Sequence, residues 1–165
     1  MTRPAASVHA SAVQVGDVGI LIRGPSGAGK SRLAFDLILA GRAGRVPRAQ
    51  LIGDDRVLLC AQDGQISIRP AGELEGLIEI RGLGIRRCDF VTQARLGLVV
   101  DLAAVDAARM PEPAALTTLL YGIEIPRIPV GIGFDPLPLV TAALLTSPLP
   151  DASATALRRL PEGNW

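Results

Sequence analysis

The sequence predicts an α/β fold: a single domain in which a mixed β-sheet carries a phosphate-binding loop. Residues 24–31 read GPSGAGKS, which fits the phosphate-loop pattern G-x-x-x-x-G-K-[ST]. The apolar run Val18–Ile22 before the loop is typical of a buried strand, and residues 31–41 after it place apolar side chains on one helical face. The later strands are separated by hairpin signals more often than by long helices, which argues against a regular, doubly wound parallel sheet.

Composition limits the classes of protein to which the chain can belong. At 165 residues, of which 48% are hydrophobic and 20% charged, the chain can form one globular domain with a substantial core. The formal net charge of +1 argues against a protein that binds nucleic acid mainly through charge. The sequence has no recognisable signal peptide and no apolar run long enough to span a bilayer. We therefore expect a cytoplasmic protein that binds neither nucleic acid nor membrane.

The remaining elements follow from local patterns along the chain. The predicted strands are a pair within 13–22 that turns at Gly16-Asp17, a short buried strand at 51–53, a hairpin formed by 57–60 and 65–69, and a buried strand at 96–102. The hairpin is predicted because Asp63-Gly64 favours a tight turn. Glycines bracket short apolar pieces in 76–85, and further short helices are predicted at 112–120 and 138–145. We expect the domain to cover residues 1–145 and a mobile tail to cover 146–165.

The phosphate loop itself predicts nucleotide binding, with ATP and Mg²⁺ as cofactors. Its glycines allow the backbone to curl, so that successive N–H groups point at phosphate oxygens, and the N-terminus of the following helix adds to that field. Lys30 is expected to reach the terminal phosphates, and the Ser31 hydroxyl is expected to bind magnesium. The predicted nucleotide-binding residues are Gly24, Pro25, Ser26, Gly27, Ala28, Gly29, Lys30 and Ser31. A chance match among 18 glycines is disfavoured because a strand and a helix flank the loop.

Three acidic residues are candidates for the carboxylates that phosphoryl transfer requires. Asp54 and Asp55 follow an apolar strand, and alternation sends their side chains in different directions, so that one could face the metal or acceptor while the other is structural. Two acids that merely begin a turn would give the same pattern. Glu79 lies in the apolar stretch 77–81, where an unpaired carboxylate is costly. It is either paired with a nearby arginine or exposed in a cleft as a metal ligand.

Two further residues carry little signal on their own. His9 is the single histidine of the chain, and a lone histidine near an N-terminus is usually solvated. Arg109 would by itself be interpreted as a surface residue.

Taken together, these segments resemble the catalytic domain of bacterial HPr kinase/phosphorylase, in a short form like that of alphaproteobacteria. The family has a histidine before a strand pair, a G-x-S-G-x-G-K-S loop, an apolar strand that ends in Asp-Asp, and the signature E-I-R-G-L-G-I. This chain has His9, the loop at 24–31, Asp54-Asp55, and EIRGLGI at 79–85, in that order. The resemblance covers about residues 8–145. It implies the mixed-sheet fold of the phosphoenolpyruvate-carboxykinase-like type of phosphate-loop protein.

The resemblance also implies roles for particular residues. By this likeness, His9 is the active-site histidine and Lys30 the loop lysine, whereas Asp55 accepts the proton of the substrate serine. Ser31 and Glu79 are the implied magnesium ligands. Arg109, within ARMP at 108–111, matches the catalytic arginine of the family.

The implied activity is that of an ATP-dependent serine kinase acting on the phosphocarrier HPr of the sugar phosphotransferase system. Members of the family are hexamers, so a homo-oligomer is expected. Two alternatives stay open: a small-molecule kinase with the same loop, and a nucleotide-binding regulatory module without transfer activity. Scattered arginines and a hairpin-rich middle argue against the first, because such kinases usually carry an arginine-rich lid. The presence of Lys30, Asp55 and Glu79 argues against the second.

The chain departs from the family at several places, one of which is a longer connection at residues 42–50. Arg32 stands where the family usually has a glutamate after the loop serine. The segment 128–134, IPVGIGF, lacks the basic P-G-R-N-type ending of the family. Reverse phosphorolysis requires a second anion close to the first, and like charges at that distance need nearby cations. We therefore expect the reverse reaction to be weak or absent.

Overall fold

A nine-stranded mixed β-sheet is the framework of the chain, of which the computed structural model describes residues 5–148. In chain order, the strands are β1 (Ala6–Val8), β2 (Ser11–Val15), β3 (Val18–Arg23), β4 (Ala49–Gly53), β5 (Val57–Gln62), β6 (Gln65–Pro70), β7 (Leu77–Ile80), β8 (Gly84–Arg87), β9 (Ala94–Leu102), β10 (Thr117–Leu120) and β11 (Ile123–Val130). The helices are α1 (Lys30–Arg42) and α2 (Pro136–Leu145). β7 and β8 pair with each other in a separate antiparallel hairpin.

Strand β9 is the centre of the main sheet. The strand order is β1-β5-β6-β9-β3-β2-β4, with β11 beside the second half of β9 and β10 paired to β11. β3 and β11 are both parallel to β9, whereas β6 is antiparallel to its first residues. β4 runs in the same direction as β3, because β2 is antiparallel to both. The C-terminal ends of β3, β4, β9 and β11 therefore point to the same edge of the sheet.

The two faces of the sheet bury separate apolar clusters, as the alternation of strand side chains requires. On β3, Ile20 and Ile22 belong to the cluster that α1 covers through residues such as Leu33 and Leu37. Leu21, between them, packs into the opposite cluster with residues of β4, β5 and β6. Burial on both faces fixes the register of β3, and with it the position of the loop that follows.

The structure confirms the predicted mixed α/β fold and the placement of the phosphate loop between a strand and a helix. The strand pair is β2 and β3, the hairpin is β5 and β6, and the buried strand near residue 100 is β9. Asp63 and Gly64 have positive φ values of 51° and 74°, as the predicted tight turn requires. The predicted helix at 138–145 begins earlier, at Pro136, where the Asp135 side chain accepts a hydrogen bond from the N–H of Leu137.

The predicted helix over 112–120 is wrong. A single 3₁₀ turn, Pro113–Leu116, is followed by β10, which pairs antiparallel with β11. Tyr121 and Gly122 have φ values of 52° and 76°, which suit a two-residue hairpin turn. The strand partner in 123–130 therefore decided the conformation of a segment whose local pattern did not distinguish a helix from a strand.

The predicted C-terminal tail lies mostly outside the described residues. Of the predicted tail, 146–165, only residues 146–148 are described, and the rest lies outside the described residues. Within residues 5–148, no helix is both long enough and apolar enough to cross a membrane.

Candidate active site

The phosphate loop lies at the sheet edge where the parallel strands end. Gly24, Gly27 and Gly29 have φ values of 154°, 80° and 98°, which L side chains rarely adopt. At Gly24 an added Cβ would also lie 3.0 Å from Cβ of Leu102, so the start of the loop packs directly on the end of β9. Helix α1 begins without a side-chain cap and without an acid in its first turn. Its N-terminus therefore offers backbone donors and positive potential to an anion.

Lys30 is the first residue of α1, and only 7% of it is exposed. Its Nζ donates hydrogen bonds to the carbonyl oxygens of Gly24, at 2.9 Å, and of Pro25, at 3.0 Å. The ammonium group is thus held inside the loop by two of the loop's own carbonyls. Its contact with the terminal phosphates stays a prediction.

Asp54 is the polar centre of the site, although only 4% of it is exposed. Its Oδ1 accepts hydrogen bonds from the hydroxyls of Ser11, at 2.6 Å, and Ser31, at 2.7 Å. Its Oδ2 accepts from the backbone N–H of Glu79 at 3.0 Å. These donors offset the cost of burying a carboxylate. One side chain therefore joins β2, the phosphate loop, β4 and β7.

Asp55 points the other way, as predicted, but a left-handed bend after the end of β4 at Gly53 turns it, rather than strand alternation. Its φ of 63° lies in the left-handed region, which a short polar side chain tolerates better than most. The side chain is 71% exposed, and its Oδ1 lies 3.2 Å from Nε2 of His9, which is 56% exposed. An ion pair this exposed contributes little to stability. The left-handed turn brings an outward-facing carboxylate and a histidine together beside the phosphate loop.

Glu79 and Ser31 fit the requirements of a hard divalent cation. Ser31 has one hydroxyl proton, which it donates to Asp54, so its lone pairs stay available to a metal. Glu79 is exposed, and its backbone N–H donates to Asp54, the same carboxylate to which Ser31 donates. Within the described residues, no group of three or more His, Cys, Asp or Glu could hold a metal alone. A magnesium ion held here would take its remaining ligands from phosphate and water.

Arg109 is the predicted site residue that the structure does not join to the others. It is exposed in the connection of residues 103–116, which begins at the end of β9. No hydrogen bond or ion pair of the described residues links it to the phosphate loop.

Sequence reasoning missed an ionic network beside the loop. Arg23, the last residue of β3, donates two hydrogen bonds of 2.7 Å to Asp101. Arg127 of β11 donates to Asp101 and, through both terminal nitrogens, to Asp106. Burial opposes ionisation of Asp101, but the two arginines outweigh it and hold the pKa of its carboxyl below the usual range. The sequence signal that could have revealed this network is Asp101, a lone acid within the apolar run of β9.

Ser11 was also missed, because a serine in an apolar strand carries no signal until its partner is known. It is completely buried, and its hydroxyl reaches Asp54, which lies 43 positions later in the chain. The antiparallel pairing of β2 with β4 produces this contact, since Ala12 lies opposite Gly53.

Comparisons with known proteins match the chain to one family. The sequence profile of the family described as HPr serine kinase C-terminal domain matches residues 2–160. An HPr kinase/phosphorylase of Geobacillus thermodenitrificans is 34% identical over an alignment of 140 residues that covers 78% of this chain and 43% of that protein. One of Lactococcus lactis subsp. lactis is 32% identical over an alignment of 154 residues that covers 84% of this chain and 47% of that protein. The chain thus spans less than half the length of either relative.

A solved structure gives the same result for the fold. The HPr(Ser) kinase/phosphatase from Coxiella burnetii matches with a TM-score of 0.65 and 28% sequence identity. The match covers 85% of this chain and 93% of that one.

Proposed function

Because the chain belongs to the family of HPr serine kinase C-terminal domains, we propose that it is an ATP-dependent kinase that phosphorylates a serine of the phosphocarrier HPr. One observation carries the proposal. The phosphate loop, the buried Asp54 and the exposed His9–Asp55 pair lie at one sheet edge. Such an edge offers a place for phosphates, a place for a metal and a base for an acceptor hydroxyl.

Each residue then has a role in the transfer. The loop amides and Lys30 hold the phosphates of ATP and offset the charge that develops on the transferred group. Magnesium, held by Ser31 and Glu79 with Asp54 behind them, would neutralise phosphate charge when bound. Arg109 supplies a further cation at the transferred group.

The base of the reaction is Asp55. Its Oδ1 faces His9, so Oδ2 is left to accept the proton of the substrate serine as the serine oxygen attacks the γ-phosphorus and ADP leaves. In this role His9 is a positioning residue, because a hydrogen bond from Nε2 fixes the rotation of the carboxylate. The exposure of both side chains fits an acceptor carried by a protein, which has to approach from outside.

The reverse reaction is weak in this proposal. Attack of inorganic phosphate on phosphoserine requires a cation for the second anion. Arg127 precedes the segment 128–134, but its guanidinium already donates to Asp101, to Asp106 and to the carbonyl of Ala115. No side chain between 128 and 134 is basic. A preparation given phospho-HPr and millimolar phosphate, without ATP, should therefore release pyrophosphate far more slowly than it consumes ATP in the forward direction.

The test of the kinase uses purified chain, Mg²⁺-ATP and purified HPr, with phosphoserine detected by mass spectrometry. We expect phosphoserine with the wild type and with Asp63→Asn, which removes the same charge at the β5–β6 turn. Asp55→Asn should still bind ATP but transfer at least about a hundredfold more slowly. Binding of ATP without transfer to HPr would overturn the substrate assignment. Transfer by Asp55→Asn at the wild-type rate would overturn the assignment of the base.

A further inference from the structure

The guanidinium of Arg127 joins the two ends of the connection that carries Arg109. Nη1 of Arg127 lies 2.7 Å from Oδ2 of Asp106 and 2.8 Å from the carbonyl oxygen of Ala115. Residues 107–114, here called the arch, run between these two partners. Both ends of the arch are therefore held by a single nitrogen atom, and Arg109 lies between them.

The same guanidinium is connected to the phosphate loop. Nε of Arg127 donates to Asp101, and Asp101 also accepts two hydrogen bonds from Arg23. Arg23 is followed directly by Gly24, the first residue of the loop. A chain of charge-assisted bonds thus runs from the base of the arch, through Arg127 and Asp101, to the beginning of the phosphate loop.

Arginine is required for this geometry. Three nitrogens of Arg127 donate in different directions within one plane, and its side chain is only 13% exposed. A lysine has one nitrogen at the end of a flexible chain and cannot hold Asp101, Asp106 and Ala115 together. The pKa of Arg127 is raised, first by its bonds to Asp106, and that of Asp106 is lowered by the same contact.

We propose that Arg127 is a positioning residue that fixes the arch, and with it Arg109, to the strand ends from which the phosphate loop begins. The inference rests on the proposed kinase function, because it gives Arg109 a task only where a phosphoryl group is transferred. The nucleotide is held by the loop and Lys30, so loosening the arch should slow transfer without weakening ATP binding. A misplacement of about 1 Å at a reacting group can cost about a hundredfold in rate.

Asp106→Asn is the decisive variant, because the Asp106 side chain is 45% exposed and its loss should leave the fold intact. We expect transfer to HPr to fall about 10- to 100-fold while the Kd for a fluorescent ATP analogue stays unchanged. Trypsin should cleave the Arg109–Met110 bond faster in this variant, as measured by mass spectrometry of the native protein. Asp63→Asn is the matched control and should change none of these quantities.

A double-variant cycle separates positioning from a general structural effect. Arg109→Gln should slow transfer by itself, and Asp106→Asn should cost nothing further in that background. Arg127→Lys should reproduce the loss seen with Asp106→Asn. Unchanged transfer and cleavage in Asp106→Asn, or a full further loss in the Arg109→Gln background, would overturn the inference. A wild-type chain that transfers no phosphoryl group would instead overturn the proposed function, and the cleavage assay would still report on the arch.

Discussion

Replacing Asp54 by asparagine tests the centre of the site. The change conserves shape but exchanges one carboxylate oxygen for an amide nitrogen, which donates hydrogen bonds. The backbone N–H of Glu79 can only donate, so the amide oxygen must take the position of Oδ2. The amide nitrogen then lies where the hydroxyls of Ser11 and Ser31 now donate to Oδ1.

The hydrogen-bond geometry around Asp54 decides how far the substitution lowers stability and how far it weakens magnesium binding. Both hydroxyls can rotate and accept from the amide, but the buried Ser11 hydroxyl then loses the acceptor of its own proton. Hydrogen bonds to a charged acceptor contribute about 1.5–3 kcal/mol and neutral ones about 0.5–1.5 kcal/mol, while the cost of burying the charge disappears. We therefore expect a net loss of about 2 kcal/mol in the free energy of unfolding. For a chain of this length, that lowers Tm by about 4–8 °C.

The effect on magnesium should be larger than the effect on folding. In the variant an amide hydrogen occupies a lone pair of Ser31 that the wild type leaves available to a cation, and one negative charge behind the metal is lost. We expect the gain in ATP affinity that Mg²⁺ confers to fall by at least about tenfold, which is about 1.4 kcal/mol. Affinity measured in EDTA should stay near that of the wild type, because the loop amides and Lys30 are untouched.

The assay is a titration with a fluorescent ATP analogue, with Mg²⁺ and with EDTA, beside a thermal melt. Asp55→Asn is the control: it makes the same chemical change one residue later on an exposed side chain. It should keep both Tm and the magnesium response. Asp54→Asn with an unchanged magnesium response would refute the reasoning, and so would an equal loss in the two variants.

Three further predictions concern neighbouring groups. Lys30→Ala should reduce transfer about a thousandfold or more while circular dichroism shows an intact fold, since the hydrogen bonds of Nζ within residues 5–148 go to two loop carbonyls. Near-normal transfer would contradict this. Glu79→Gln should weaken Mg²⁺ dependence without lowering Tm, because its backbone bond to Asp54 persists; a lowered Tm with a normal metal titration would favour a structural ion pair. The pKa of Asp101 is depressed in the folded state, so its contribution to stability is present above its unfolded pKa and lost as pH falls through the folded value. The Asp101→Asn variant should therefore be less stable than the wild type at pH 7 and should lose less stability on acidification. Equal decreases in the unfolding free energy of the two proteins as pH falls would contradict this.

The sequence alone determined the local features of this protein. The phosphate loop, α1, the β2–β3 turn at Gly16-Asp17 and the Asp63-Gly64 hairpin each depend on residues within about a dozen positions, and each was predicted. The sequence also predicted that Asp54 and Asp55 face different ways, although the left-handed bend at Asp55, and not strand alternation, separates them. The resemblance then identified the family from segments that are far apart in the chain but keep their order.

Tertiary structure decided which side chains meet. Asp54 became the buried partner of Ser11 and Ser31 because β2 pairs with β4 and the phosphate loop follows β3 at the same edge. Arg23 meets Asp101 across 78 positions through the parallel pairing of β3 with β9. Such contacts depend on strand order, which is selected by the burial of the whole sheet and by loop closure.

The same reason explains the errors and omissions. Residues 117–120 form a strand because β11 supplies its hydrogen-bonding partner, and β11 is held in turn by β9. Nothing in the local sequence shows that Asp101, Asp106 and Ala115 converge on Arg127 and use its donors. The local sequence shows which residue types are available to a site. Which of them are in contact is decided by strand pairings across the whole sheet.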